Sequence, residues 1–366
     1  MKARGNLTIN DVARMAGVSK KTVSRVINRS PQLSARTRRR VDDLIAALGY
    51  VPNPQARALA SGRNFLIGLV HGNPNAQTVM NVQHGMLEAL RGTEFEMVVR
   101  PIDGRAPTLL ADLRAFIERQ RLFGVVLMPP LSEDDAVARL CRETGCRYAR
   151  LGPSGPDAPA DMVTSNDREA VCEATDYLIS LGHRRIALVD GPQDFRSARE
   201  RRAGFTQALG DAGIALPPAM IAEGDYRFES GLLAGERLLG LTLRPTAIFC
   251  CNDEMAAGVV HAAGRLGLDI PGDLSVIGFD DTPTAAHIWP PLTTVRWPIA
   301  VMARAATLRL IAANDRDGDA AGGPLLFPST LIRRASVGPC ATQSGGERPS
   351  LSSVALLPSK GNVACS

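Results

Sequence analysis

A chain of 366 residues is longer than one ordinary core requires and long enough for a small domain joined to a large two-lobed one. Hydrophobic residues at 45% and charged residues at 22% exclude a fibrous or largely disordered protein. The formal charge of +5 is unevenly spread: residues 1–63 hold 13 Lys and Arg against 3 Asp, leaving 29 basic and 34 acidic residues for the rest. A basic head on a mildly acidic body is the pattern of a nucleic-acid-binding module attached to a domain that does not bind nucleic acid.

In LTINDVARMAGVSKKTVSRVIN, Thr8 can cap a first helix with Asp11 three residues on, and Val12 and Ala16 lie at helical spacing. Gly17 breaks that helix, and a second starts at the cap Ser19, with Val23, Val26 and Ile27 on one face and Lys20, Lys21, Ser24 and Arg25 on the other. Two short helices joined by a glycine turn, the second basic on its outer face, describe a helix-turn-helix whose second helix enters the major groove. A third helix runs from the cap Ser34 to the stop Gly49, with Val41, Leu44, Ile45 and Leu48 as its core stripe. The expected DNA-facing set is Thr8, Ser19, Lys20, Lys21, Thr22, Ser24, Arg25 and Asn28.

The stretch TINDVARMAGVSKKTVSRVIN followed by LGYVPNPQARALASG resembles the head of the lactose-repressor (LacI/GalR) family of transcription regulators, and the resemblance continues through GHRRIA, RRAGF, NDEMAAG, SVIGFDDTP and PPLTTV to about residue 334. It implies that the segment after Asn53 and Pro54 forms a short helix when two copies pack on operator DNA, with Leu59 wedged into the minor groove. The residues agree, because an apolar Leu59 between Arg57 and Arg63 in a polar linker suits a wedge that unstacks and bends DNA.

From Phe65 onward FLIGLV, FEMVV, GVVLM, RIALVDG, TAIFC and LSVIGF read as parallel strands, each followed by ten or more residues of helical spacing, with PPLTTV as a further extended segment. The expected fold is an all-α helix-turn-helix head plus an α/β sensor domain. The resemblance implies that this sensor is two-lobed and periplasmic-binding-protein-like, with three crossovers and the ligand in the cleft. The expected boundaries are 1–50 for the head, 51–64 for the hinge, 65–340 for effector binding and dimerisation, and 341–366 for a disordered tail rich in Ser, Gly and Pro.

Ligands in such sheets sit beyond the carboxyl ends of the strands, so the loops there are searched first. Matching the family's cleft positions brings out Arg201, Asn252 and Asp280 as polar contacts, Tyr226 as a stacking ring and, in a less secure register, Asp167. Thr78 and Trp297 stand where this sequence departs from many members, so the effector, expected to be a sugar or glycoside, cannot be copied from a relative. Arg199 and Arg202 are expected on the surface; Asp253 and Asp281 are expected to cap loops and help close the lobe.

Neither a phosphate-binding loop, a nucleophile elbow nor a zinc-protease motif occurs, which speaks against an enzyme, and His183 in GHRRIA reads as a structural turn residue. Seven cysteines without metal-ligand spacing predict no metal and no cofactor, and Cys250 and Cys251 read as buried apolar residues. No run of about 18 apolar residues occurs, and MKARGNLTINDVAR lacks a signal-peptide core, so the expected location is the cytoplasm without membrane contact. The body alone would also fit a sugar-binding or transport component; the basic head and the lack of an export signal speak against it. The reading is therefore a dimeric regulator that binds pseudopalindromic operator DNA under the control of a small molecule.

Overall fold

The computed structural model describes residues 7–27, 33–50, 64–152, 161–312 and 323–340. The head folds as α1 (Ile9–Ala16), α2 (Lys20–Ile27) and α3 (Ala35–Leu48). The Asp11 carboxylate accepts from the Thr8 N–H at 3.0 Å and from its hydroxyl at 2.7 Å, which fixes the start of α1. Gly17 ends it at φ 62°, a left-handed conformation that glycine adopts without a Cβ penalty. Ser19 and Ser34 accept from the N–H groups of Thr22 and Thr37 at 3.1 and 3.2 Å and so start α2 and α3. Val12, Val23 and Val41, one from each helix, have no solvent exposure. Burying each contributes about 1.5–3 kcal/mol, enough to hold short helices that would be marginal alone.

The body builds two six-stranded sheets. The first contains β1 (Leu66–His71), β2 (Glu96–Pro101), β3 (Gly124–Leu127), β4 (Arg147–Leu151), β5 (Met162–Ser165) and β11 (Leu325–Phe327). The second contains β6 (Ile186–Asp190), β7 (Ile221–Glu223), β8 (Ala247–Cys250), β9 (Ser275–Asp280), β10 (Thr293–Arg296) and β12 (Thr330–Ile332). Their orders, β2-β1-β3-β4-β5-β11 and β7-β6-β8-β9-β10-β12, are one winding used twice. The pairings are parallel except that β12 runs antiparallel to β10. β3, β6 and β8 are buried throughout, as expected of central parallel strands covered on both faces by helices.

The helices that bear on the cleft are α4 (Ala76–Leu90), α5 (Leu109–Gln120) and α6 (Asp135–Glu143) in the first lobe, and α7 (Asp167–Ser180), α8 (Arg196–Asp211), α9 (Phe228–Leu239), α10 (Asp253–Arg265) and α11 (Pro283–His287) in the second. A last helix, α12 (Ile299–Ala312), returns to pack on α4 and β4. The chain thus crosses between lobes three times, from β5 to α7, from β10 to α12 and from β11 to β12.

One strand was not read from the sequence, and one expectation is corrected. β4 has no apolar run because Arg147 and Arg150 lie in it; Arg150 is wholly buried, its Nε donating to the Ser132 carbonyl at 2.5 Å and its Nη2 to Asp135 at 3.0 Å. β9 is followed by a helix of 5 residues rather than ten or more, because Pro290 and Pro291 cannot continue it. His183 behaves as the structural residue expected, with Nδ1 3.0 Å from the Thr246 hydroxyl and Nε2 3.0 Å from the Gly338 carbonyl. Cys250 and Cys251 are fully buried. Among the described residues no helix is long and apolar enough to cross a membrane.

Candidate functional site

The head presents its second helix outward. Val23 and Val26 turn into the core, which leaves Ser19, Lys20 and Lys21 exposed at the N-terminal end of α2 and Thr22, Ser24 and Arg25 half-buried beside them. Thr8 is exposed, with its hydroxyl engaged by Asp11. Asn28 and Leu59 lie outside the described residues.

In each lobe the strand order reverses at one point, between β1 and β3 and between β6 and β8, and the crevice beyond the carboxyl ends at such a point is where α/β sheets bind ligands. A pocket spans the two crevices. Asn73, Asn75 and Pro129 line it from the first lobe, Tyr226, Asn252 and Asp280 from the second. Thr78 and the crossover residue Trp297 complete its wall.

Arg201 is the centre of the site and is 4% exposed. It stands in the second turn of α8, not in a loop as expected, so its backbone is fixed by the helix. Its Nε donates to Asp167 at 3.1 Å and its Nη1 to the Cys251 carbonyl at 2.6 Å, while Nη2 lies 3.9 Å from Asp280. The guanidinium stacks 3.6 Å above the Phe279 ring centroid. Burial opposes its charge, but Asp167 and the other acidic groups around it outweigh burial and push its pKa up. Asp167 itself does not line the pocket; it holds Arg201 from behind.

Asp280 ends β9 with a backbone φ of 112°, a conformation rarely adopted by residues with a side chain and costing roughly 1–3 kcal/mol. Burial pushes its carboxyl well above the usual carboxylate range, partly offset by Arg201. Tyr226, at φ 70°, packs edge-on against Phe195 with centroids 5.4 Å apart, and burial pushes its phenol up. Only glycine fits at position 191, since a Cβ there would stand 2.5 Å from the Tyr226 hydroxyl. Asn252 accepts from the Met255 N–H at 2.9 Å and donates to the Tyr226 carbonyl at 2.9 Å, so its amide caps α10 and fixes the Tyr226 turn. Trp297 donates from Nε1 to the Ser165 hydroxyl at 3.0 Å. Asp253 has the closing role expected of it, accepting from Thr282 at 2.7 and 3.0 Å and from Thr294 at 2.5 Å. Asp281 accepts from Arg296 at 2.7 Å and Arg334 at 2.5 Å, tying the start of the β9 loop to β10 and to the segment after β12.

Outside this pocket lies a wider mouth of about 430 Å³, also between the lobes. Arg105 from the first lobe pairs with Asp194 from the second at 2.8 Å. Glu133, on the turn after β3, reaches across to accept from the N–H groups of Arg196 and Ser197 at 2.5 and 3.2 Å, capping α8. Its burial pushes the carboxyl up to about 7 against those two hydrogen bonds. Arg199 lines the mouth, more than the bare surface role expected, and Arg202 pairs at 3.2 Å with the fully buried Asp190. Asn75, Phe195 and Glu133 were not singled out in the sequence; each lies just beyond a strand end, where the switch-point rule points.

A helix-turn-helix head in one chain with a doubly wound, two-lobed domain around a polar cleft defines a DNA-binding regulator with an attached sensor. Residues 8–53 match the bacterial regulatory proteins of the lacI family, and residues 175–337 match the periplasmic binding protein-like domain. The "Probable HTH-type transcriptional repressor ExuR" of Bacillus subtilis (strain 168) is 35% identical over 80% of this chain and 87% of its own. The lactose operon repressor of Escherichia coli (strain K12) is 31% identical over 93% of this chain and 94% of its own. A solved Lac repressor dimer bound to operator and the anti-inducer ONPF superposes with a TM-score of 0.78 at 29% identity, covering 91% of this chain and all of that one. The chain belongs to the LacI/GalR family of transcription regulators.

Proposed function

We propose that this regulator is a homodimeric repressor that binds a pseudopalindromic operator and changes its affinity when a sugar or glycoside occupies the cleft. The observation that carries the reading is the buried Arg201, held by Asp167 and the Cys251 carbonyl with its remaining edge toward Asp280, in a pocket shared by both lobes. A donor fork beside a carboxyl group is what ring hydroxyls require, because each hydroxyl both donates and accepts. The effector set is Arg201, Asp280, Asn252, Tyr226, Thr78 and Trp297, with Asp167 acting through Arg201. The DNA-reading set is Thr8, Ser19, Lys20, Lys21, Thr22, Ser24, Arg25 and Asn28, with Leu59 as wedge. Residues 1–50 form the head, 51–64 the hinge, 65–340 the sensor and dimer body, and 341–366 a tail. The similar Lac repressor dimer carries operator and anti-inducer together, which supports the same assembly here. The protein works in the cytoplasm by binding, with no chemical step.

The test is selection of duplexes from a random pool by the purified chain, followed by titration of the enriched site at several salt concentrations. An enriched pseudopalindrome with an affinity falling by roughly 0.9 powers of salt per phosphate contacted supports the reading. Failure to enrich any sequence overturns it.

A further inference from the structure

The electrostatics of the cleft narrow the effector further, on the premise that the cleft is the effector site. Arg201 is the only cation among the described residues lining the inner pocket, and it is already paired with Asp167 at 3.1 Å, with the Asp280 carboxyl 3.9 Å from its far edge. Two buried polar atoms there have no hydrogen-bond partner, and both are uncharged: the Asn75 amide nitrogen and the Tyr226 hydroxyl. Asn75 is 7% exposed; its Oδ1 caps α4 by accepting from the Thr78 N–H at 3.1 Å, which leaves Nδ2 over. The Tyr226 hydroxyl lies beside Ser197, but the two are not in hydrogen-bonding geometry. Buried groups of this kind take a partner from protein or ordered water, and in a ligand site a ligand hydroxyl or ether oxygen can take that place.

The mouth gives the same sign. Its lining has three arginines, Arg105, Arg199 and Arg227, against five carboxyl groups, those of Asp103, Glu133, Asp134, Asp194 and Asp225. Two of the arginines are paired, Arg105 with Asp194 at 2.8 Å and Arg227 with Asp225 at 3.5 Å. The natural seat for an anion in the cleft is the N-terminus of the 16-residue α8, where free N–H groups and the helix dipole attract negative charge. Glu133 occupies that seat from the opposite lobe. An anionic ligand would have to displace a buried carboxylate from its two donors or enter a mouth whose fixed charge repels it.

We infer that the effector is an uncharged, hydroxyl-rich molecule, a neutral sugar or glycoside, and that the cleft rejects sugar acids and sugar phosphates. Asn75 is the first-lobe donor that reads a ligand oxygen, and Glu133 is the gate against anions.

The test compares ligands that share one ring and differ in charge, such as glucose and galactose with their uronic acids and 6-phosphates, together with neutral disaccharides, by thermal shift and calorimetry on the full chain at matched ionic strength. Neutral members should raise the melting temperature, and their charged counterparts should bind at least about tenfold more weakly, the equivalent of one lost hydrogen bond to the site. Tighter binding of a uronate or phosphate overturns the inference while leaving the sensor reading intact. Absence of any shift with neutral and charged carbohydrates alike overturns both. Asn75→Asp keeps the capping oxygen and removes the donor, so it should keep the parent's melting temperature without ligand and lose about tenfold in neutral-sugar affinity; unchanged affinity removes Asn75 from the site. Glu133→Gln should narrow the discrimination between neutral and anionic partners, and undiminished discrimination removes it as the gate.

Discussion

Asp280→Asn separates ligand contact from scaffold better than any change at Arg201. The two side chains are nearly equal in volume, and asparagine tolerates the backbone φ of 112° as well as aspartate does. The nearest cation, Arg201 Nη2, is 3.9 Å away, too far for a hydrogen bond, so the substitution breaks no short bond to it. Burial already disfavours the charged carboxylate, so the melting temperature should hold or rise. What is lost is one of the two carboxyl oxygens, replaced by an NH2 that can only donate and so meets a ligand hydroxyl's proton with another donor. Leaving a buried ligand hydroxyl unmatched costs about 1–3 kcal/mol, or about five- to 150-fold in Kd. Arg201→Ala would instead leave Asp167, which is 2% exposed, with the Ser165 hydroxyl but no counterion. That costs about 3–5 kcal/mol of stability and confuses unfolding with lost binding. The assay is calorimetric titration of the variant with the sugar that most raises the parent's melting temperature, alongside a gel shift on the selected operator without sugar. Weaker sugar binding with parental operator binding is expected. Parental sugar affinity would refute the placement of Asp280 in the site.

Lys21→Ala should cost about 1–3 kcal/mol on the selected operator and relax preference at one base pair per half-site; an equal loss on random DNA would reduce Lys21 to a phosphate contact. Leu59→Ala should weaken operator binding and reduce DNA bending, measured by circular permutation gel shifts, with sugar affinity kept; full bending by the variant counts against the wedge. Burial holds Glu133 at about 7 against an ordinary 4.5, and Asp253 at about 7 against 3.8, so between those values these two groups bind more protons in the folded chain than in the unfolded one. Their contribution to stability should therefore fall as pH rises from about 5 to about 7, opposed by His71 and His183, whose burial lowers their pKa; thermal melts of Glu133→Gln against the parent should show stability falling less, or rising more, with pH, and an identical slope would mean that Glu133 is not titrating in the fold.

The head was legible because each of its boundaries is set by neighbours in sequence: Thr8 with Asp11, Gly17 at its left-handed turn, Ser19 with Thr22, Ser34 with Thr37. The apolar strands were legible for the same reason, since a buried parallel strand announces itself as a run of Val, Ile and Leu. β4 was not, because the partners that make a buried Arg150 tolerable stand 15 and 18 residues away. In the cleft, resemblance supplied Arg201 and Asp280, but nothing local shows that Asp167, 34 residues before Arg201, is its counterion rather than a ligand contact. Glu133 and Arg196 are 63 residues apart, and Ser165 and Trp297 are 132 apart. Such bonds exist only once the lobes face each other.

On the proposed effector site, the same long-range bonds would make ligand entry and lobe movement one event. The inner pocket holds about 20 Å³ of free space, room for about one water molecule and far too little for a sugar ring. A ring can enter only if the walls part, and the walls belong to different lobes. The crossovers, about which lobes can turn, are tied to each other and to the site: Trp297 donates to Ser165 at 3.0 Å, the Ser329 N–H to Asn166 at 2.7 Å and Ser165 to Asp167 at 2.5 Å. Asp167 in turn holds Arg201 at 3.1 Å. A ligand that shifts Arg201 or Trp297 therefore pulls on the first and second crossovers directly and on the third through Asn166. A ligand whose entry changes these contacts would have the differential affinity for two lobe arrangements that a shift in population requires.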